Sequence, residues 1–242
     1  GGVRAEWRFE LLFVVDAVTT LLAGVLLLAY FGMRRLPGEV PSAGEHLAVR
    51  SPLRDRQFAF FLLLLLATSV VFFQFLATYP LYLRGHYRLT ESLIGALFAV
   101  NTLLIVAMEM VLVDCVKHWP LLKTIGWGFF LTCLGFGLLP FGSTFAFAVV
   151  AMLVLTVGEM LSAPLTAGYV ANLSPAGREG AYMGWLAVTL SLAAVRGPAI
   201  GSELYAVNHE AVWYASLAVG AAVLAGAYAL AGGDSAAAEA SA

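Results

Sequence analysis

Of 242 residues, 61% are hydrophobic and only 12% are charged, with a mean hydropathy of +0.89. Soluble domains usually carry about 25% charged residues, so half that share leaves too little charge to cover a water-facing surface. The formal net charge of −2 excludes a global basic field for nucleic acid.

The two cysteines, Cys115 and Cys133, form no disulfide framework and read as small buried apolar residues. The chain begins Gly1-Gly2-Val3, without an initiator Met or a signal-peptide pattern. The start therefore reads as a truncation point, with an N-terminal part of the protein expected beyond it.

A hydrocarbon core of roughly 30 Å needs about 20 apolar residues per crossing helix. The stretches 57–83, 124–158 and 211–233 contain no charge at all, and Pro140-Phe-Gly-Ser-Thr divides the second of them. Taken in chain order, the spans fall at 9–33, 58–79, 92–113, 121–140, 144–170, 181–204 and 211–231. Strand alternation is missing and an open sheet cannot satisfy its backbone in lipid. The expected fold is therefore an all-α integral membrane protein of about seven transmembrane helices. The division reads as 1–33, the last helix of an earlier bundle; 34–57, a linker; 58–232, a six-helix bundle; and 233–242, a tail. The linker carries Arg34, Arg35, Arg50, Arg54 and Arg56 with Pro37 and Pro41.

Placing 34–57 in the cytoplasm puts Arg34, Arg35, Arg50, Arg54, Arg56, Lys117, Lys123 and Arg178 inside, against Arg4, Arg8, Arg84 and Arg88 outside. That is the bias the positive-inside rule requires, and it puts the C-terminal tail in the cytoplasm. Trp7, Tyr79, Tyr82, Tyr87, Trp119, Tyr205, Trp213 and Tyr214 fall near span ends, where interfacial aromatic belts sit. A short internal echo relates Glu91-Ser-Leu-Ile-Gly95, opening the third span, to Arg178-Glu179-Gly-Ala-Tyr-Met-Gly184, opening the sixth from the other side. Inverted repeats of this kind occur in secondary transporters.

An ionisable residue inside the bilayer costs a few kcal/mol unless paired or hydrated, so each is a functional candidate. Asp16, Glu109, Glu159 and Arg196 fall within spans. Glu159 ranks first: it sits near the middle of the fifth span, between Gly158 and Pro164, and could bind a proton or a cationic group. A hydrogen bond that merely holds the bundle is the structural alternative. Arg196, before Gly197-Pro198, could serve an anionic group or simply snorkel to the outer interface. It lies about 9 Å from Glu159 in depth at 1.5 Å rise per residue. Asp16 reads as structural or proton-coupled. Glu109 and Asp114, near the inner end of the third span, read as gate residues with Arg178 or as a solvated helix end. Gln74 and Asn101 are the leading neutral cavity candidates, followed by Thr68, Ser69 and Tyr79, and a helix–helix hydrogen bond is the equal alternative for each. Gly180-x-x-x-Gly184 and Gly197-x-x-x-Gly201 permit close helix packing, and Pro164 and Pro198 suggest kinks. The four histidines, His46, His86, His118 and His209, show no metal-ligand spacing, and no cofactor motif appears. Clustered catalytic groups at one depth, as a membrane-embedded enzyme needs, are not found within the spans.

Four segments carry a resemblance: Gly158-Glu-Met-Leu-Ser-Ala-Pro164, Tyr169-Val-Ala-Asn-Leu-Ser-Pro175, Gly180-Ala-Tyr-Met-Gly184 and Gly197-Pro-Ala-Ile-Gly201. Together they resemble the C-terminal half of the major facilitator superfamily, most of all its drug:proton antiporters, with some likeness to proton-coupled peptide transporters around Phe73-Gln74. The resemblance implies that the first span is the sixth family helix and that the later spans are helices seven to twelve. It further implies a proton-coupled secondary transporter in the inner or plasma membrane, working by alternating access on a small molecule with protons and lipid as its partners. Efflux is the first expectation, uptake of a peptide-like solute the second, and a non-transporting scaffold or sensor the third. Two departures stand out: Glu179 occupies a position where the family often has Arg, and Asp114-Cys-Val-Lys117 is a loose form of its gate motif.

Overall fold

Carbonyls and amides in a hydrocarbon layer have only one another to bond, which drives each apolar run into a helix. The computed structural model describes residues 51–240 together with Val18, Leu21, Leu22, residues 24–26 and Ala29; of 234–240 it describes the backbone. The chain divides into two units, residues 1–49 and 50–242. In the first, the described residues are helical and Val18, Leu21, Leu22, Val25 and Leu26 are exposed. Most of the 9–33 span, Asp16 and the arginines of the 34–50 stretch lie outside the described residues.

The second unit begins with a 3-10 turn, Pro52–Arg54, and then α1, Arg56–Phe72. The Asp55 carboxylate caps α1 by accepting from the backbone N–H groups of Gln57 and Phe58 at 3.0 and 3.2 Å, which satisfies two otherwise orphaned donors. A 3-10 segment, Phe73–Leu76, leads into α2, Thr78–Gly85. Next come α3, Glu91–Val116; α4, Leu121–Gly137; α5, Phe145–Leu173; α6, Glu179–Val207; and α7, Ala211–Ala240. Thr90 and Thr144 cap α3 and α5 through their hydroxyls. Pro140, within a 3-10 turn at Leu139–Phe141, ends α4 where the sequence divides the long apolar run.

Six stretches among the described residues are long and apolar enough to cross a membrane: Arg56–Leu76, Glu91–Val116, Leu121–Phe141, Phe145–Leu173, Glu179–Val207 and Ala211–Gly233. This is a multi-pass membrane protein, and its all-helical architecture is the one expected. The second span differs in detail. Drawn from the sequence as one helix to residue 79, it breaks at Ala77, whose backbone (φ −112°, ψ −85°) is not helical. Pro80 supplies one cause, since it has no N–H and its ring crowds the carbonyl four residues back. Pro164 and Pro198, the expected kink sites, stand inside the continuous helices α5 and α6.

Helix association in lipid relies on close packing of small residues, and α4 is built for it. Gly128 and Gly158 bring α4 and α5 into backbone contact, where a Cβ on either would collide with the other helix. Gly126 and Gly220 do the same between α4 and α7, against Ala227 and Cys133 respectively. On the other side of the bundle, Gly197 and Gly201 seat α6 against Val70, Phe73 and Gln74. A Cβ at Gly180 or Gly184 would meet no described atom within 4 Å, so that glycine pair makes no comparable contact here. Two apolar clusters form the core. One, towards the α2 end, gathers Tyr79, Tyr82, Leu97, Phe136, Leu155 and Trp213. The other, towards the start of α1, gathers Phe58, Phe61, Ile125, Phe129, Val170 and Tyr182. Along α1 and α5, the polar residues Thr68, Ser69, Thr156, Glu159 and Ser162 fall between them.

Candidate functional site

Glu159 is the middle residue of α5, fourteen positions from Phe145 and fourteen from Leu173. At 1.5 Å per residue that is about 21 Å from either helix end, too deep for a short carboxylate to reach water outside the bundle. Its partner comes from α3: Asn101 Nδ2 donates to Glu159 Oε2 at 3.0 Å and to Thr156 Oγ1 at 3.0 Å. A side-chain amide carries two N–H hydrogens, so both are used. Thr156 passes its own hydrogen to the carbonyl of Met152 at 2.7 Å. Asn101 is 6% exposed and Thr156 fully buried, so a polar chain runs from the α5 backbone through both residues to the carboxylate.

The carboxylate borders a cavity with an empty volume of about 620 Å³, part of it open to the outside. Leu65, Phe72, Phe129, Ala163 and Leu190 make its apolar walls, and Thr68, Ser69, Thr132, Ser162 and Thr166 its polar ones. Thr68, Thr132 and Ser162 each donate to a carbonyl one turn back on their own helix, so towards the cavity they present oxygen lone pairs and methyl or methylene groups. Thr166 differs: it is 5% exposed and its hydroxyl has no hydrogen-bond partner among the described residues. A buried polar group left unmatched costs about 1–3 kcal/mol, which a ligand or water entering the cavity would recover. The chemistry on offer is one carboxylate, several acceptor oxygens and the hydroxyl donors of Ser69 and Thr166, set in an apolar wall.

The other candidates occupy different places. Glu109 is half-buried two turns along α3 from Asn101. Gln74 lies apart from the cavity lining and is 2% exposed. Its Nε2 donates to the carbonyls of Val70, at 3.0 Å, and Gly197, at 2.6 Å, while its Oε1 accepts from Thr78 at 3.0 Å. This is the second cause of the break after α1: the amide bonds across to α6 in the very turn where the α1 ladder lapses. Arg196 is exposed on α6 and forms no ion pair with any described residue. Asp114 is exposed and paired to Lys117 at 2.7 Å, inside its own gate-like motif. Arg178 is half-buried at the N-cap position of α6. Asp16 lies outside the described residues.

Some members of the site escaped the sequence reading. Ser162, Ala163 and Thr166 stand three, four and seven positions after Glu159, which is the spacing of one helix face, so that signal was present. Phe129 and Thr132, from α4, had no such signal. Near the other end of α5, Tyr182 donates to Asp55 Oδ2 at 3.3 Å, and Gln57 Nε2 donates to the Tyr169 hydroxyl at 3.1 Å. These bonds tie the starts of α1 and α6 and the end of α5 into one polar knot. Among the described residues no group of three or more His, Cys, Asp or Glu could hold a metal ion.

Residues 1–198 match the family model described as Major Facilitator Superfamily. The uncharacterized MFS-type transporter YttB of Bacillus subtilis (strain 168) is 27% identical over 219 residues, covering 88% of this chain and 53% of that protein. A Na(+), Li(+), K(+)/H(+) antiporter of Planococcus maritimus is 27% identical over 209 residues, covering 73% of this chain and 48% of that protein. The chain thus spans about half the length of the curated relatives it matches.

Proposed function

The chain belongs to the major facilitator superfamily, a family of transporters rather than enzymes, and from that premise we propose that it is part of a proton-coupled secondary transporter in which Glu159 carries the proton. The observation behind this reading is the mid-depth carboxylate on the wall of a cavity, held by Asn101 at 3.0 Å. A charge at that depth is costly unless hydrated or paired. Glu159 therefore ionises when the cavity admits water or a cation, and takes a proton when it is closed and empty. Exchange of a proton for a bound cationic group follows from that competition alone.

The cavity walls suit an amphipathic small molecule: aromatic and aliphatic groups from Phe72, Phe129 and Leu190 for its apolar part, Glu159 for a cationic end. Efflux from the cytoplasm is the direction we assign, with the C-terminal tail inside the cell membrane. Exchange of a monovalent metal cation is the second reading, favoured by the printed activity of the Planococcus relative. In this scheme residues 58–232 are the C-terminal bundle, 34–57 the connection to the bundle before it, and Glu109, Asp114 and Arg178 belong to an inner gate. The Asp55–Tyr182 and Gln57–Tyr169 bonds close that same end of the bundle. Gln74 clamps α1 to α6, and Arg196 meets the aqueous path from the exposed face of α6.

The test is uptake of a fluorescent amphipathic cation, and separately of Na⁺, into proteoliposomes under an imposed pH gradient. Glu159→Gln is expected to lower gradient-driven uptake at least tenfold. Uptake in the variant that follows the pH gradient as in the parent protein rules the assignment out.

A further inference from the structure

The seam between α4 and α7 lies on the side of α4 turned away from the cavity. A helix turns about 100° per residue, so Lys123 and Trp127 share a face of α4 nearly opposite that of Phe129. Gly126 abuts Ala227 of α7 so closely that a Cβ would collide with it, and this contact sets Trp127 beside Tyr228. Trp127 Nε1 donates to the Tyr228 hydroxyl oxygen at 3.1 Å, and the Lys123 ammonium stands 5.5 Å from the centre of the Tyr228 ring. Both rings stay accessible, 41% for Trp127 and 43% for Tyr228.

Three features make this more than a belt of aromatic residues. Lys123 forms no ion pair with any described residue, whereas Lys117 in the preceding loop is neutralised by Asp114. The Tyr228 oxygen accepts the indole hydrogen, which leaves its own O–H free for an acceptor. Lys123 is two residues inside the span that starts at Leu121, about 3 Å at 1.5 Å per residue, near the level where headgroups meet acyl chains, and Tyr228 stands beside it. Phe130 and Leu224 continue the seam as an apolar surface.

We propose that this seam binds the phosphate of an anionic phospholipid, with Lys123 as the counter-charge, the Tyr228 hydroxyl as hydrogen-bond donor and the acyl chains laid along α4 and α7. The Lys/Arg balance assigns this end of the bundle to the cytoplasm, whose leaflet carries the anionic lipid. The inference rests on the membrane spans and on that orientation and not on transport, so it stands or falls independently of Glu159.

The experiment places the protein in nanodiscs of phosphatidylcholine with rising fractions of phosphatidylglycerol and counts the lipid retained by native mass spectrometry. The parent protein is expected to retain phosphatidylglycerol selectively. Lys123→Gln should weaken that retention about fivefold, the loss of one near-surface charge, Lys123→Arg should preserve it, and Tyr228→Phe should fall between. Equal retention of the two lipids by the parent, or undiminished phosphatidylglycerol retention by Lys123→Gln, overturns the proposal. Lys123 is exposed and makes no ion pair with a described residue, so its replacement disturbs no buried contact, and Tyr228→Phe provides a second, isosteric variant.

Discussion

Asn101 on α3 and Glu159 on α5 are joined by a 3.0 Å hydrogen bond that links two membrane-spanning helices at the cavity wall. Hydrogen bonds to charged groups contribute about 1.5–3 kcal/mol, roughly ten- to a hundredfold in an equilibrium. Asn101→Ala removes this bond and the one to Thr156 together. Gradient-driven transport is expected to fall about tenfold, with the melting temperature in detergent changing by only a few degrees. Measuring both on one preparation separates loss of the site from loss of the fold.

Gly201 and Gln74 are in a comparable relation, with opposite consequences for design. A Cβ on Gly201 would fall on the Gln74 amide, the group that bonds α1 to the carbonyl of Gly197 at 2.6 Å. Gly201→Ala is therefore expected to destabilise by about 1–3 kcal/mol, the usual cost of overpacking. Gly184→Ala, with open space at its Cβ, should leave stability unchanged. Thermal melts of the two variants side by side check the contrast, and equal effects would contradict it.

The α4–α5 contact makes a further demand. Gly158→Ala would drive a methyl group into the Thr132 amide and the Gly128 carbonyl, neither of which can rotate aside as a side chain would. The expected result is a loss of at least about 2 kcal/mol, larger than for Gly201→Ala because backbone must move. It should also lower transport, since the displaced residue adjoins Glu159. Melting temperature and flux for this variant are the measurements.

Outside the spans, Tyr87 donates to the carbonyl of Leu139 at 2.7 Å. Burial pushes its hydroxyl up to about 12 from the ordinary 10.0. A group whose pKa is raised by folding stabilises fully below its unfolded value and loses that contribution as pH rises through the folded one. The Tyr87 contribution is thus expected to be complete below pH 10 and to disappear between about 10 and 12. Tyr87→Phe should cost about 1 kcal/mol at pH 7, and its difference from the parent should shrink above pH 10. Melting curves at pH 7, 10 and 11.5 read this directly.

The spans were legible because charge-free runs of membrane length leave one backbone solution, and Glu159 stood out because a carboxylate in such a run is costly. The break at Ala77 was harder to read. Pro80 marked it locally, but the acceptor that fixes Gln74 is the Gly197 carbonyl, 123 positions away, and no local pattern encodes that pairing. For the same reason the sequence left Gln74 open between a cavity residue and a helix–helix hydrogen bond, and its amide is occupied by helix carbonyls. Gly158 carries no local sign of its partner in the sequence, and it serves close approach of α4. That approach brings Phe129 and Thr132 to the cavity, and it depends on which helices neighbour which.

The most direct test of the central claim follows protons and not substrate. The protein and its Glu159→Gln variant are reconstituted in vesicles containing a pH-sensitive dye, and a gradient of the amphipathic cation is applied at equal pH on both sides. The account expects the parent to move protons against the cation and the variant to move at least tenfold fewer. Proton movement in Glu159→Gln at the parent rate would contradict the account.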